Sequence, residues 1–260
     1  MRRLVALVAT VILVAACGGS SVGVIGPTRL TVFAAASLRD AIERAAEVYE
    51  ADEAVVIDLS TDSSATLRTQ IEQGAPADVV LSADLTHPEA LAERGLVDGV
   101  LVAIARTGMA VIVPVSNPAG IETPADLATP GVKIIAAGED VPISGYVAQV
   151  VAGLATVPGY PADVAAAYEA NIVSREDNAA AVVTKIELGE GDAAIVYEAD
   201  AATADGVIPL ALPDAADVTA TYGGVVVAGS DEVEAAHAFL AWLAGPDGQA
   251  VLVASGFQSP

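Results

Sequence analysis

The sequence predicts an α/β protein built as two lobes. Three observations carry this reading. Short apolar runs alternate with segments of helical periodicity; two apolar runs near the middle, 100–105 and 109–113, follow one another with no helix between them; beyond them the alternation restarts. Such alternation calls for mostly parallel sheets flanked by helices on both faces. The chain is 260 residues long, enough for one large domain or two lobes. With 54% hydrophobic and 17% charged residues it can bury a sizeable core, which excludes a disordered protein.

Taken in order, residues 29–36 read as a buried strand feeding a helix on which Leu38, Ala41, Ile42, Ala45 and Tyr49 recur, with Ser37 as its expected N-cap. Strand 54–59 and helix 65–73 follow, closed by Gly74, then strand 78–82 and helix 88–94, closed by Gly95. After the loop 114–120, Thr123 and Pro124 open a short helix, 132–136 is a strand and 145–154 a helix. Strand 171–173 leads to helix 175–188 with Ser174 at its cap, and 193–197 and 207–210 are strands. The β-rich run 222–228 precedes helix 231–244, whose inner face carries Val233, Ala236, Leu240 and Leu243 behind Ser230, and a last helix spans 247–254. The chain is expected to cross between lobes near 107–110 and 222–226. Lobe I is then 29–108 plus 226–260, and lobe II is 109–225. No repeat with a period of 20–50 residues is visible, which excludes solenoids and propellers.

Acidic residues number 34 against 11 basic ones, a net charge of −23. A field of that sign repels a phosphate backbone, so nucleic acid is excluded as a partner. One cysteine excludes an internal disulfide and any multi-cysteine metal site. It sits at a telling place. Met1-Arg2-Arg3 precede a run, 4–16, in which only Thr10 is polar, and Cys17 follows at once. A positive start and a short apolar middle make an export signal, and the run falls short of the roughly 20 residues a membrane-spanning helix needs. Val14-Ala15-Ala16-Cys17 resembles the lipobox of bacterial lipoproteins. Residues 1–16 are therefore expected to be a signal peptide, Cys17 the lipidated residue, and 17–28 a Gly- and Ser-rich tether holding an extracytoplasmic body at the cell membrane.

The catalytic census is poor. His87 and His237 are the only histidines, and both read as solvated, with no metal-ligand spacing around them. No Gly-x-Ser-x-Gly elbow, Walker loop or Gly-x-Gly-x-x-Gly fingerprint occurs. Asp78 reads as fixing the start of a strand and Asp84 as a turn residue, so no pair of acids stands out and an enzyme is not expected. The turns after the strands are more informative. Ser37, Ser63, Ser64 and Ser144 all fall where a strand gives way to a helix. Each alone is an ordinary N-cap. Together they suggest an anion held by hydroxyls and by the unpaired N–H groups of helix starts.

Val32-Phe33-Ala34-Ala35-Ala36-Ser37-Leu38, Ser63-Ser64-Ala65-Thr66-Leu67, Gln73-Gly74-Ala75-Pro76-Ala77-Asp78, Asp140-Val141-Pro142 with Gly145-Tyr146, and the run 188–197 ending in Tyr197 resemble, in that order, the molybdate-binding proteins of bacterial ABC importers. The resemblance runs from about Arg29 to Phe257. It implies a two-lobed type II periplasmic-binding-protein fold, with each lobe a mostly parallel sheet flanked by helices and the ligand in the cleft between them. It also implies that molybdate or tungstate is held as an oxyanion with no side chain on the metal. The implied contacts are hydroxyl and N–H of Ser37 and Ser64, backbone N–H groups near Ile143 and Ala179, and the phenol of Tyr197. Read without the resemblance, Tyr197 is a core tyrosine at a strand end. The protein is expected to act as a monomer with no resident cofactor, passing its cargo to a membrane permease. A receptor for sulfate or another small anion is the alternative. An enzyme on the same scaffold, with two acids close together in the cleft, and a purely structural surface lipoprotein are the remaining readings.

Overall fold

The computed structural model describes residues 26–260. The expected signal peptide 1–16, Cys17 and the tether up to residue 25 lie outside the described residues. The first lobe starts with β1 (Thr28–Ala35), α1 (Arg39–Asp52), β2 (Val55–Asp62), α2 (Ser64–Glu72), β3 (Val79–Ser82), α3 (Thr86–Glu93) and β4 (Val97–Thr107). β1 lies parallel between β2 and β3, with Val32 opposite both Leu59 and Val79. All four residues of β3 are buried, three of them the apolar Val79, Val80 and Leu81, as expected of a strand covered on both faces. Leu38 and, on α1, Ala41, Ile42, Ala45 and Tyr49 turn inward. Tyr49 meets Phe239 edge-on, with centroids 5.2 Å apart, and Trp242 at 5.0 Å, both on α8 (Val233–Ala244). After α2 the chain reverses at Gly74, whose φ of 88° suits only glycine.

Gly108 alone separates β4 from β5 (Met109–Pro114), the first strand of the second lobe. β5 lies antiparallel between β8 (Ala194–Tyr197) and β9 (Val207–Leu210). β6 (Ile134–Ala137) and β7 (Ile172–Glu176) form a parallel pair, and a bridge from Ile134 to Ala193 joins them to the β8 side. The joined order β7-β6-β8-β5-β9 repeats the pattern of directions of the first sheet, β2-β1-β3-β10-β4, where β10 (Ala220–Val227) is the reversed strand. In each lobe the reversed strand is the one arriving from the other lobe. A chain that enters without a crossover helix has nothing to bring it round to parallel pairing. Helix α8 packs directly on β10: a Cβ at Gly224 would stand 2.6 Å from Leu240 Cδ1. α9 (Pro246–Ala254) ends the fold.

The structure corrects the sequence expectations at several places. β10 pairs with β3 and β4 from Ala220 onward, so residues 220–225 belong to the first sheet and the second crossing precedes Ala220. Ser37 caps no helix; it sits in a 3-10 turn over Ala36–Leu38, and α1 begins at Arg39. α4 (Pro142–Leu154) starts on a proline, so Ser144 lies within its first turn and turns back to donate to the Gly138 carbonyl at 2.7 Å. Arg175 and Glu176, expected in a helix, pair with Ala136 and Ala137 as part of β7. Ser174 is a strand residue, and the cap of α6 (Ala179–Glu187) is Asn178, which accepts from the Ala181 N–H at 2.9 Å. Two short helices, α5 (Val164–Ala170) and α7 (Glu198–Thr203), carry too little apolar contrast to be read as helices from the sequence.

Candidate functional site

Three helices from the two lobes begin at one place. α2 starts at Ser64, α4 at Pro142 and α6 at Ala179. These three residues line a single cavity of about 10 Å³, together with Ser37 and Tyr197. Each helix N-terminus carries roughly half a positive charge and N–H groups without an intrahelical partner. Among the described residues no backbone carbonyl accepts from the N–H of Ser64, Ile143 or Ala179. Four of the five predicted contacts, Ser37, Ser64, Ala179 and Tyr197, are thus brought together. Ile143 is not on the wall. Its side chain is buried in an apolar pocket with Val147, Val151 and Tyr168, and Pro142 stands at the cavity in its place. Proline has no N–H, so the first free amide of α4 is nevertheless that of Ile143.

The hydroxyls are held in particular ways. Ser63 caps α2, accepting from the Thr66 N–H at 3.1 Å, which leaves its neighbour free for other work. Ser64 is 1% exposed, and its oxygen accepts from the Ala83 N–H at 3.0 Å, so its own proton has no partner behind it. The Ser37 oxygen lies 3.0 Å from the hydroxyl of Tyr222, a fully buried residue of β10 that the sequence places only in a β-rich run. Tyr197 is 1% exposed, and its hydroxyl has no hydrogen-bond partner among the described residues. A buried phenol normally finds one. Burial, reinforced by Tyr222, Tyr146 and the acids Asp200 and Asp84, pushes its pKa well above the usual phenol value, so it stays a neutral donor.

No acidic side chain lines this cavity. Two larger spaces adjoin it. One, of about 480 Å³, shares Ser63 and Val141 with it and is ringed by Asp62, Glu139, Asp140, Glu176 and Asp177, with Arg175 among them. The other, of about 190 Å³, lies behind Ser37 and holds Arg39, Asp40, Arg44 and Asp200. Burial and then the nearby Asp40 raise Asp200 to about 8, and its Oδ2 is buried without a partner. Asp78 does what its position suggested, accepting from the Thr31 N–H and the Ser230 hydroxyl. Asp84 holds the turn before α3 through Ser82 and the His87 N–H. His87 is not solvated as expected: its side chain is 13% exposed, and burial lowers its pKa against the opposing pull of Asp84. His237 is half-exposed and paired with Asp98 at 2.7 Å.

Residues 30–258 match the family model described as bacterial extracellular solute-binding protein. The chain belongs to this family. A molybdate-binding protein of Mycobacterium tuberculosis is 31% identical over 253 residues, covering 94% of this chain and 92% of the relative. The periplasmic molybdate-binding protein of Azotobacter vinelandii superposes with a TM-score of 0.75 at 24% identity, over 89% of this chain and 99% of that one. The sulfate-binding protein SubI of M. tuberculosis superposes with 0.76 at 21% identity, over 88% and 86%. The fold is the two-lobed periplasmic-binding-protein fold, and the helix starts described above meet where its lobes face each other. Proteins of this family capture solutes outside the cytoplasm. Among the described residues no helix of this solute-binding protein is long and apolar enough to cross a membrane.

Proposed function

We propose that this solute-binding protein captures molybdate between its lobes and hands it to the permease of an ABC importer, without catalysis. The observation that carries the reading is the buried Tyr197 hydroxyl without a partner, set in a cavity where three helix starts meet Ser37 and Ser64. The groups assigned to the anion are all neutral donors, which suits a fully ionised oxyanion: fixed dipoles in a dry site stabilise charge without a counter-ion. The ligands are Ser37, Ser64 and Tyr197 through their hydroxyls and Ile143 and Ala179 through their amides. The 31% identity to a molybdate-binding relative along nearly the whole chain favours molybdate over sulfate. Because the donors come from both lobes, the anion binds the closed arrangement better and shifts the population towards it. The leader 1–16 exports the protein, and a lipid on Cys17 keeps it near the permease as a monomer with no resident cofactor.

Calorimetric titration of the mature protein with molybdate, tungstate, sulfate and phosphate tests this. Molybdate is expected to bind well ahead of sulfate and phosphate. Sulfate binding as tightly as molybdate would make the protein a general anion receptor and overturn the assignment.

A further inference from the structure

Resting on that reading of the cleft, we propose that Tyr222 is a positioning residue, whose hydroxyl donates to Ser37 Oγ from behind and so turns the serine's own proton towards the anion. The two serines of the site make the case by comparison. Ser64 has its oxygen occupied by the Ala83 N–H, a group that can only donate, so its proton is directed elsewhere by default. Ser37 has no such amide; the group 3.0 Å from its oxygen is the Tyr222 phenol. Either oxygen of that pair is able to donate, and the surroundings decide between them. Tyr222 is fully buried, and Ser37 is its hydrogen-bond partner among the described residues. If Ser37 donated, it would have no proton to offer the ligand, and the phenolic proton of Tyr222 would be left only the neighbouring Tyr197 hydroxyl, itself a donor to the same ligand in this reading. If Tyr222 donates, every proton in the chain from Tyr222 through Ser37 to the anion has an acceptor, and each bond polarises the next.

The phenol is fixed for this task. Its ring meets Tyr197 edge-on at 5.5 Å on one side and Phe257 at 5.3 Å on the other. Burial and the neighbouring Asp200 hold it protonated, hence able to donate. Tyr222 comes from β10, so the first lobe's sheet sets the direction of a hydroxyl that the second lobe closes upon.

The test is a double-mutant cycle of Tyr222→Phe and Ser37→Ala read by molybdate titration, with the ligand-free melting temperature measured for each protein. Tyr222→Phe keeps both ring contacts and is expected to weaken molybdate about tenfold. Added to Ser37→Ala it is expected to cost almost nothing more, because the group it orients is already gone. Unchanged affinity in Tyr222→Phe overturns the proposal, as do two losses that simply multiply. A second measurement needs no variant. In wild-type protein carrying labelled tyrosine, the Tyr222 hydroxyl proton should exchange slowly and its resonance should move when molybdate is added. A resonance indifferent to saturating molybdate overturns the coupling. Wild-type protein that binds no oxyanion at all would instead sink the molybdate reading, and this inference with it.

Discussion

Replacing Tyr197 with phenylalanine should push ligand-free stability and ligand affinity in opposite directions. The hydroxyl is buried without a protein partner. A buried polar group left unsatisfied costs about 1–3 kcal/mol, so removing it should leave the ligand-free protein at least as stable as before. For a protein of this size each kcal/mol moves the melting temperature by about 2–4 °C. With the anion present, the same hydroxyl is a donor to a charged group, worth about 1.5–3 kcal/mol, or roughly 10- to 150-fold in dissociation constant. At a ligand concentration about 1,000 times the wild-type dissociation constant, the wild type gains about 4.1 kcal/mol; a variant weakened 100-fold gains about 1.4. The two proteins should therefore respond differently to ligand: Tyr197→Phe at or above wild type without molybdate, but gaining about 2.7 kcal/mol less than wild type when molybdate is added. Scanning calorimetry with and without ligand, paired with titration calorimetry, reads both quantities. A variant that melts lower without ligand yet binds as tightly as wild type would refute the reasoning, because Tyr197 would then be an ordinary core tyrosine.

Ser64→Ala removes a proposed ligand donor and the acceptor of a buried amide at once, so it should lower ligand-free stability by about 1–3 kcal/mol as well as weaken binding, which separates it from Tyr197→Phe in the same melts. Asp200 has its pKa raised to about 8 by burial, so the stability it contributes is fully present below its unfolded value, about 3.9, and gone once the pH has risen through about 8; Asp200→Asn should flatten the fall in melting temperature across that window, and an unchanged slope would place the carboxyl in solvent. The acidic mouth of the cleft should slow the arrival of a dianion, so association measured by stopped flow should accelerate as salt rises from low ionic strength, the reverse of electrostatic steering. Cys17→Ser should release the protein from the membrane fraction of producing cells, and retention there would mean that 4–16 is an uncleaved anchor.

The first lobe was legible in the sequence because its signals are local. Burial of whole strands gives apolar runs such as 79–81, and Gly74 and Gly95 both take the positive φ that ends their helices. The second lobe was read less well where a local signal lost to pairing. Ser174-Arg175-Glu176-Asp177 has the look of a helix start, but partners on β6 draw Arg175 and Glu176 into a strand, and the helix is capped four residues later, by Asn178. The role of Ser64 depends on a more distant contact: only folding brings the Ala83 N–H to its oxygen, whereas Ser63 caps its helix through Thr66, three residues away. Tyr222 was invisible for the same reason, since its partner is 185 residues away. What the sequence does hold is the order of the motifs, and it was resemblance, not spacing, that joined Ser37, Ser64, Ala179 and Tyr197.

The passage through Thr107, Gly108 and Met109 has a mechanical consequence. Immediately after Tyr197 the chain is pinned to this passage twice: the Glu198 N–H donates to the Gly108 carbonyl at 2.9 Å, and the Ala199 N–H to Thr107 Oγ1 at 3.1 Å. The phenol proposed to grip the cargo is therefore mounted on the axle of the jaw, where a swing moves it least. Parting the lobes would carry Ser37 and Ser64 away while Tyr197 hardly travels, so release should proceed by peeling from the first lobe, with the last grip kept beside the pivot.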